Sequence, residues 1–152
     1  MTFRLTTLGE LSLQDAATGR RLAVPRKALA AMAILASAGT KGASRERIVS
    51  LLWPGSVESG RGALKQTIYE LRQTLGNQDI VSGTADLWLD PTQVTSDVAD
   101  LERAHAAGDW AGMAQLYGGP FLDRFTLRGA PEFERWTESR RSYYAELFRR
   151  AA

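Results

Sequence analysis

The sequence predicts a mainly α chain with small β-sheets. Three observations lead there: short alternating runs before residue 15, helical periodicity over 28–38, 44–53 and 61–75, and two β-rich runs just after Gly76. Strands, three helices and a closing hairpin, in that order, describe a winged helix-turn-helix. Helical patterns continue beyond residue 92.

The elements follow from local chemistry. Phe3, Leu5 and Thr7 alternate with Arg4 and Thr6, and the alternation resumes over 8–13, giving two short strands. After a turn at 15–19, Leu22, Ala23 and Val24 read as a third. Pro25 suits the first turn of a helix, where no amide donor is required, and 28–38 is rich in strong helix formers. Its expected buried face is Ala28, Leu29, Met32, Leu35 and Ala36, with Gly39 ending it. Ser44 is a good N-cap for the next helix, whose apolar stripe is Ile48, Leu51 and Leu52. The segment 54–60 reads as a turn, and 61–75 as a longer helix.

In that longer helix Leu64, Ile68, Leu71 and Leu75 fall within one narrow sector and must pack on a core. Gly62, Gln66, Tyr69 and Gln73 lie opposite, and Arg61, Lys65 and Arg72 flank the buried stripe. Such a polar face can serve bases and phosphates. Alone, it equally suits the solvated side of an amphipathic helix. After Gly76, residues 79–81 and 87–89 form the expected hairpin around Ser82-Gly83-Thr84-Ala85-Asp86. Its tip carries no Lys or Arg, so contacts there would come from backbone amides, Ser82 or Thr84.

Charge favours the nucleic-acid reading. The chain is only +2 overall, with 19 Lys and Arg against 17 Asp and Glu. Between Arg20 and Arg72, however, ten bases face three acids, a surplus of seven, whereas from Thr92 onward eight bases meet nine acids. A local basic field attracts the phosphate backbone.

Composition bounds the remaining classes. With 152 residues and 44% hydrophobic content, the chain can hold one ordinary domain or two small ones. The absence of Cys suits a reducing cytoplasm, and neither a secretory leader nor a membrane-length apolar run is present. His105 is the only His and lies in a helical pattern; glycine-rich phosphate loops and metal-ligand clusters are missing. We therefore expect a cytoplasmic protein that is not an enzyme, with no cofactor and no metal site.

The second half reads as helices over 97–107, with Val98, Leu101 and His105 inward, then 110–117 and 132–150. Leu116, Tyr117, Phe121, Leu122 and Phe125 form an apolar knot, and Phe133, Trp136, Tyr144 and Leu147 one stripe of the last helix.

Four motifs in order carry a family resemblance: SRERIVSLLWP from Ser44, ALKQTIYELR from Ala63, YGGPFL from Tyr117 and APEFERW from Ala130. Together they resemble the bacterial transcriptional activator domain family, regulators like the Streptomyces antibiotic regulatory proteins. The resemblance implies an OmpR/PhoB-type winged helix over 1–91 and the start of an all-helical, tetratricopeptide-like activator segment over 92–152. It implies a transcriptional activator that binds double-stranded DNA at promoter repeats and recruits RNA polymerase. Helix 61–75 becomes the recognition helix, with Lys65, Gln66, Tyr69 and Arg72 toward bases. Arg45, Arg47 and Arg61, near helix N-termini, become phosphate contacts, joined by Ser82 and Thr84 of the wing. Pro54, Gly55, Ser56, Val57 and Glu58 match a segment that can touch polymerase. In the family the helical region continues further, so a shortened member or a fragment is expected, with dimerisation through the terminal helices covering the unpartnered face. The open alternative is a winged-helix interaction module that binds no DNA.

Overall fold

The computed structural model describes residues 1–151; Ala152, the last residue of the expected second segment, lies outside them. The chain is mixed α/β, with six α-helices and two three-stranded sheets among the described residues. It opens with β1 (Phe3–Thr6) and β2 (Ser12–Asp15), paired antiparallel so that Leu5 faces Leu13 across the ladder. The expected third strand does not form. Arg21 makes a single bridge to Gln14, and Leu22 and Val24 dock on the core without a ladder as the chain runs into Pro25.

Helix α1 (Arg26–Ala38) begins just after Pro25, which serves as its N-cap. The expected one-sided burial is too narrow: Ala30, Ala31, Ala33 and Ile34 are also buried, while Leu29 is only half-buried. A helix that is apolar around most of its circumference sits inside the core, and α1 contacts the helices over 45–52, 57–75 and 97–107 and the strand over 86–89. After a 3-10 turn over Gly39–Lys41, β3 (Ala43–Ser44) leads into α2 (Arg45–Leu52). Ser44 caps α2 through its hydroxyl, which accepts from the Arg47 amide at 3.0 Å.

The turn expected over 54–60 is shorter than its residues suggest. Ser56 accepts from the Ser59 amide and starts α3 (Val57–Leu75), so Val57 and Glu58 belong to the first helical turn. Gly60 is buried where α3 crosses α2, and a Cβ there would collide with Val49. The hairpin is β4 (Val81–Gly83) and β5 (Asp86–Leu89); Asp79 and Ile80 precede it in a turn in which the Asn77 side chain accepts from the Asp79 amide at 2.8 Å. Strand β3 adds to the hairpin, giving the order β3-β5-β4.

Strand β6 (Val94–Ser96) was not legible, because three residues with one apolar side chain carry no period. It pairs in parallel with β1, Phe3 opposite Val94, and completes the sheet β2-β1-β6. The expected division at 91/92 falls in the turn just before it. Ser96 then caps α4 (Asp97–Ala107). The carboxylate of Asp97, only 5% exposed, accepts from the Thr7 amide and hydroxyl, the Leu8 amide and its neighbour Val98, all within 2.9 Å. Val98 and Leu101 are buried as expected, and His105 is half-buried against Trp110.

Helix α5 (Trp110–Leu116) precedes a long connection and α6 (Pro131–Ala151). Of the expected knot, Phe121, Leu122 and Phe125 are buried, Leu116 is half-buried and Tyr117 is exposed. The connection is stitched to the N-terminal strand by Gly9 to Pro120, Leu122 to Thr7 and Asp123 to Gly9 backbone bonds. Helix α6 buries Phe133, Tyr144 and Leu147, half-buries Trp136 and returns to pack on α2. Among the described residues, no helix is long and apolar enough to cross a membrane.

Candidate nucleic-acid interface

The two-faced pattern of α3 becomes a buried stripe of Leu64, Ile68, Leu71 and Leu75 and a solvent face of Arg61, Gly62, Lys65, Gln66, Tyr69 and Gln73. Gly76 closes the helix in the left-handed conformation, φ 64°, and its amide satisfies the carbonyls of Arg72 and Gln73. Nineteen residues give the helix more than five turns, so its solvent face is a long exposed ridge. Arg61 and Lys65 enter no ion pair among the described residues. Tyr69 is 58% exposed.

Two of the expected base-contacting residues are modified by their neighbours. Gln66 donates to the Glu70 carboxylate at 3.0 Å, one turn further along, so its amide is oriented but engaged. Glu70 is a missed member of this face, exposed and negative, and its helical spacing from Gln66 was the available signal. Arg72 departs from the expectation. It is half-buried, and its guanidinium donates to the carbonyl of Val81 at 2.7 Å, which ties α3 to β4 instead of presenting charge to solvent. The reason is the tight αL closure at Gly76, which folds the chain back so that β4 passes over the last turn of the helix.

The phosphate candidates divide similarly. Arg45 is half-buried and held by the hairpin: its Nε donates to the carbonyl of Thr84 at 2.5 Å and its amide to that of Ala85 at 3.1 Å. Thr84 is exposed at the hairpin tip, so Arg45 and Thr84 come together. Ser82 is half-buried, with its hydroxyl 3.4 Å from the Asp79 carbonyl. Arg47 is exposed but borders a cleft that Trp136 and Arg140 of α6 also line. Arg61 stays on the α3 ridge with Lys65. Pro54, Gly55 and Ser56 are exposed between α2 and α3, with Val57 and Glu58 exposed on the first turn of α3. There Glu58 complements the positive end of the helix dipole.

Sequence comparison adds nothing: no family model and no curated protein matches the chain. Structure comparison does. The fold is similar to that of Mycobacterium tuberculosis EmbR, solved in complex with a low-affinity phosphopeptide. The TM-score is 0.66, with 95% of this chain superposed at 16% sequence identity. At that identity the likeness is one of fold. The superposed region is 43% of the EmbR chain, so this chain spans less than half of EmbR's length.

Proposed function

We propose that the chain is a DNA-binding transcriptional regulator of the type its four motifs resemble, an activator that reads promoter repeats through α3. In this reading residues 1–91 act as an OmpR/PhoB-type winged helix-turn-helix, with the β4–β5 hairpin as wing. Residues 92–152 open a tetratricopeptide-like helical segment. The observation that carries it is the α3 ridge: Arg61, Lys65, Gln66 and Tyr69 exposed on one side of a long helix whose other side is core. Lys65, Gln66 and Tyr69 face the bases, and Arg61 neutralises a phosphate. Arg72 supports the wing, and Arg45 and Thr84 present the wing tip to the backbone. The EmbR-like fold supports the assignment of fold type. RNA polymerase contact through the 54–58 segment, a homodimer through the C-terminal helices, a cytoplasmic setting and the absence of catalysis belong to the same proposal.

Fluorescence anisotropy with labelled duplexes tests it. The full chain should bind at 50 mM salt and weaken steeply by 200 mM. Lys65→Ala should lower affinity about tenfold, the loss expected from one good base contact of about 1–3 kcal/mol. Arg61→Ala should flatten the slope of log K against log salt by about 0.9, the value for one phosphate contact. No affinity for any duplex at low salt would leave the ridge to a protein partner, the interaction-module reading.

A further inference from the structure

An open cleft of about 360 Å³ lies between α1, β3, α2 and α6, and none of its lining residues belongs to α3. That volume falls within the range of small-ligand sites. Apolar Ile34 and Leu51, together with Trp136, Ser37, Arg47 and Arg140, line it. No carboxylate contributes to its lining among the described residues, and neither arginine enters an ion pair there. Glu132, whose carboxyl feels the Arg47 charge, is taken by Arg135.

Arg140 is the more informative of the two. One of its terminal nitrogens donates to the Tyr144 hydroxyl at 2.8 Å, and its guanidinium lies over the rings of Tyr143 and Tyr144, 4.5 and 4.8 Å from their centroids. Its Nε is buried with no hydrogen-bond partner. A buried donor left unsatisfied is costly, and a charged one more so. A planar guanidinium so fixed by aromatic rings is preorganised to receive an oxyanion. Arg47, which α2 contributes to the same cleft, is exposed.

We propose that this cleft binds a small organic anion. Its phosphate or carboxylate head lies between Arg47 and Arg140, and its flat body rests on Trp136 and the apolar side chains beside it. The site needs no contribution from α3 and shares only Arg47 with the expected phosphate contacts, so binding is measured in the absence of DNA.

The test uses the full chain without DNA. Adenosine monophosphate and benzoate, flat bodies carrying a phosphate and a carboxylate, are titrated at constant ionic strength and followed by calorimetry and tryptophan emission. Saturable binding of at least one is expected, with an emission change lost in Trp136→Phe and an affinity at least tenfold weaker in Arg47→Ala. The better probe assigns the head group. Arg140→Lys, read beside its thermal melt because Arg140 also supports Tyr144, should lose binding while remaining folded. Two results would overturn the proposal: neither probe saturating at millimolar concentration, or binding that Arg47→Ala leaves unchanged.

Discussion

Asp97 shows how much one side chain can decide. Its carboxylate collects four donors at the junction of β1 and α4, and hydrogen bonds to a charged acceptor contribute more than neutral ones. Truncation would leave the Thr7 and Leu8 amides buried and unpaired. Asp97→Ala should therefore destabilise the chain by about 3 kcal/mol in urea unfolding. Arg72 and Lys65, seven residues apart on α3, should separate cleanly in the same measurement. Arg72→Ala removes the bond to Val81 and should cost about 1–2 kcal/mol; under the proposed function, DNA affinity should fall only through a looser β4–β5 hairpin. Lys65→Ala, on an exposed position, should stay within about 0.5 kcal/mol of the parent while losing affinity. The sequence separates the two faces of α3 because a 3.6-residue period is local information. It cannot tell Arg72 from Lys65, since that difference depends on where β4 returns, and no sequence period records a return path.

Among the elements, the crossing of α2 and α3 turns on Gly60. Read as sequence, Gly60 belongs to a turn, because glycine interrupts helices. In the fold it occupies the first turns of α3 and is there because the helices approach too closely for a Cβ beside Val49. Gly60→Ala ought to stabilise an isolated helix by about 1 kcal/mol. In this chain the overpacking should reverse the sign, for a net loss of about 1–2 kcal/mol in thermal unfolding; a gain would show that α2 and α3 can move apart freely. The attachment of α6 to α1 makes a second element-scale case. Tyr144 is buried, its hydroxyl 3.0 Å from that of Ser37, and desolvation raises its ionisation above the ordinary tyrosine value despite the Arg140 charge beside it. Tyr143 is pushed up to about 12 by desolvation and the neighbouring Glu102 carboxylate. Because both folded values are raised, their contribution is intact below pH ~10, where unfolded tyrosine begins to ionise, and is lost as pH rises toward and through the folded values. Denaturant midpoints should fall between pH ~10 and 12, and Tyr144→Phe should flatten that fall.

For the whole molecule, the question is whether residues 1–91, the segment proposed as a winged helix, are a folding unit. Composition argues for a division there, since the basic surplus ends before Thr92. The backbone argues that folding does not respect it. Strand β1 lies in the middle of its sheet only because β6 pairs along its other edge. Asp97 supplies the acceptors for Thr7 and Leu8, and the chain from Pro120 to Asp123 closes over Gly9. Helix α6 covers α2, and its Tyr144 bonds Ser37 of α1. Cutting at 91 would expose an unpaired strand edge and the apolar surface that Phe121, Phe133 and Tyr144 now bury. A fragment of residues 1–91 should consequently unfold at a markedly lower denaturant concentration than the full chain and tend to associate. A fragment of residues 1–108, which restores β6, Asp97 and α4, should recover part of the difference, and the rest should return only with α6. Proton–nitrogen spectra of the three lengths would decide the matter, with well-dispersed signals for 1–91 alone showing that β6 and α6 are accessory to a self-sufficient unit. If the shorter fragments fail in the expected order, any signal that acts on α6 also acts on the helices that place α3, because α2 packs against both α3 and α6.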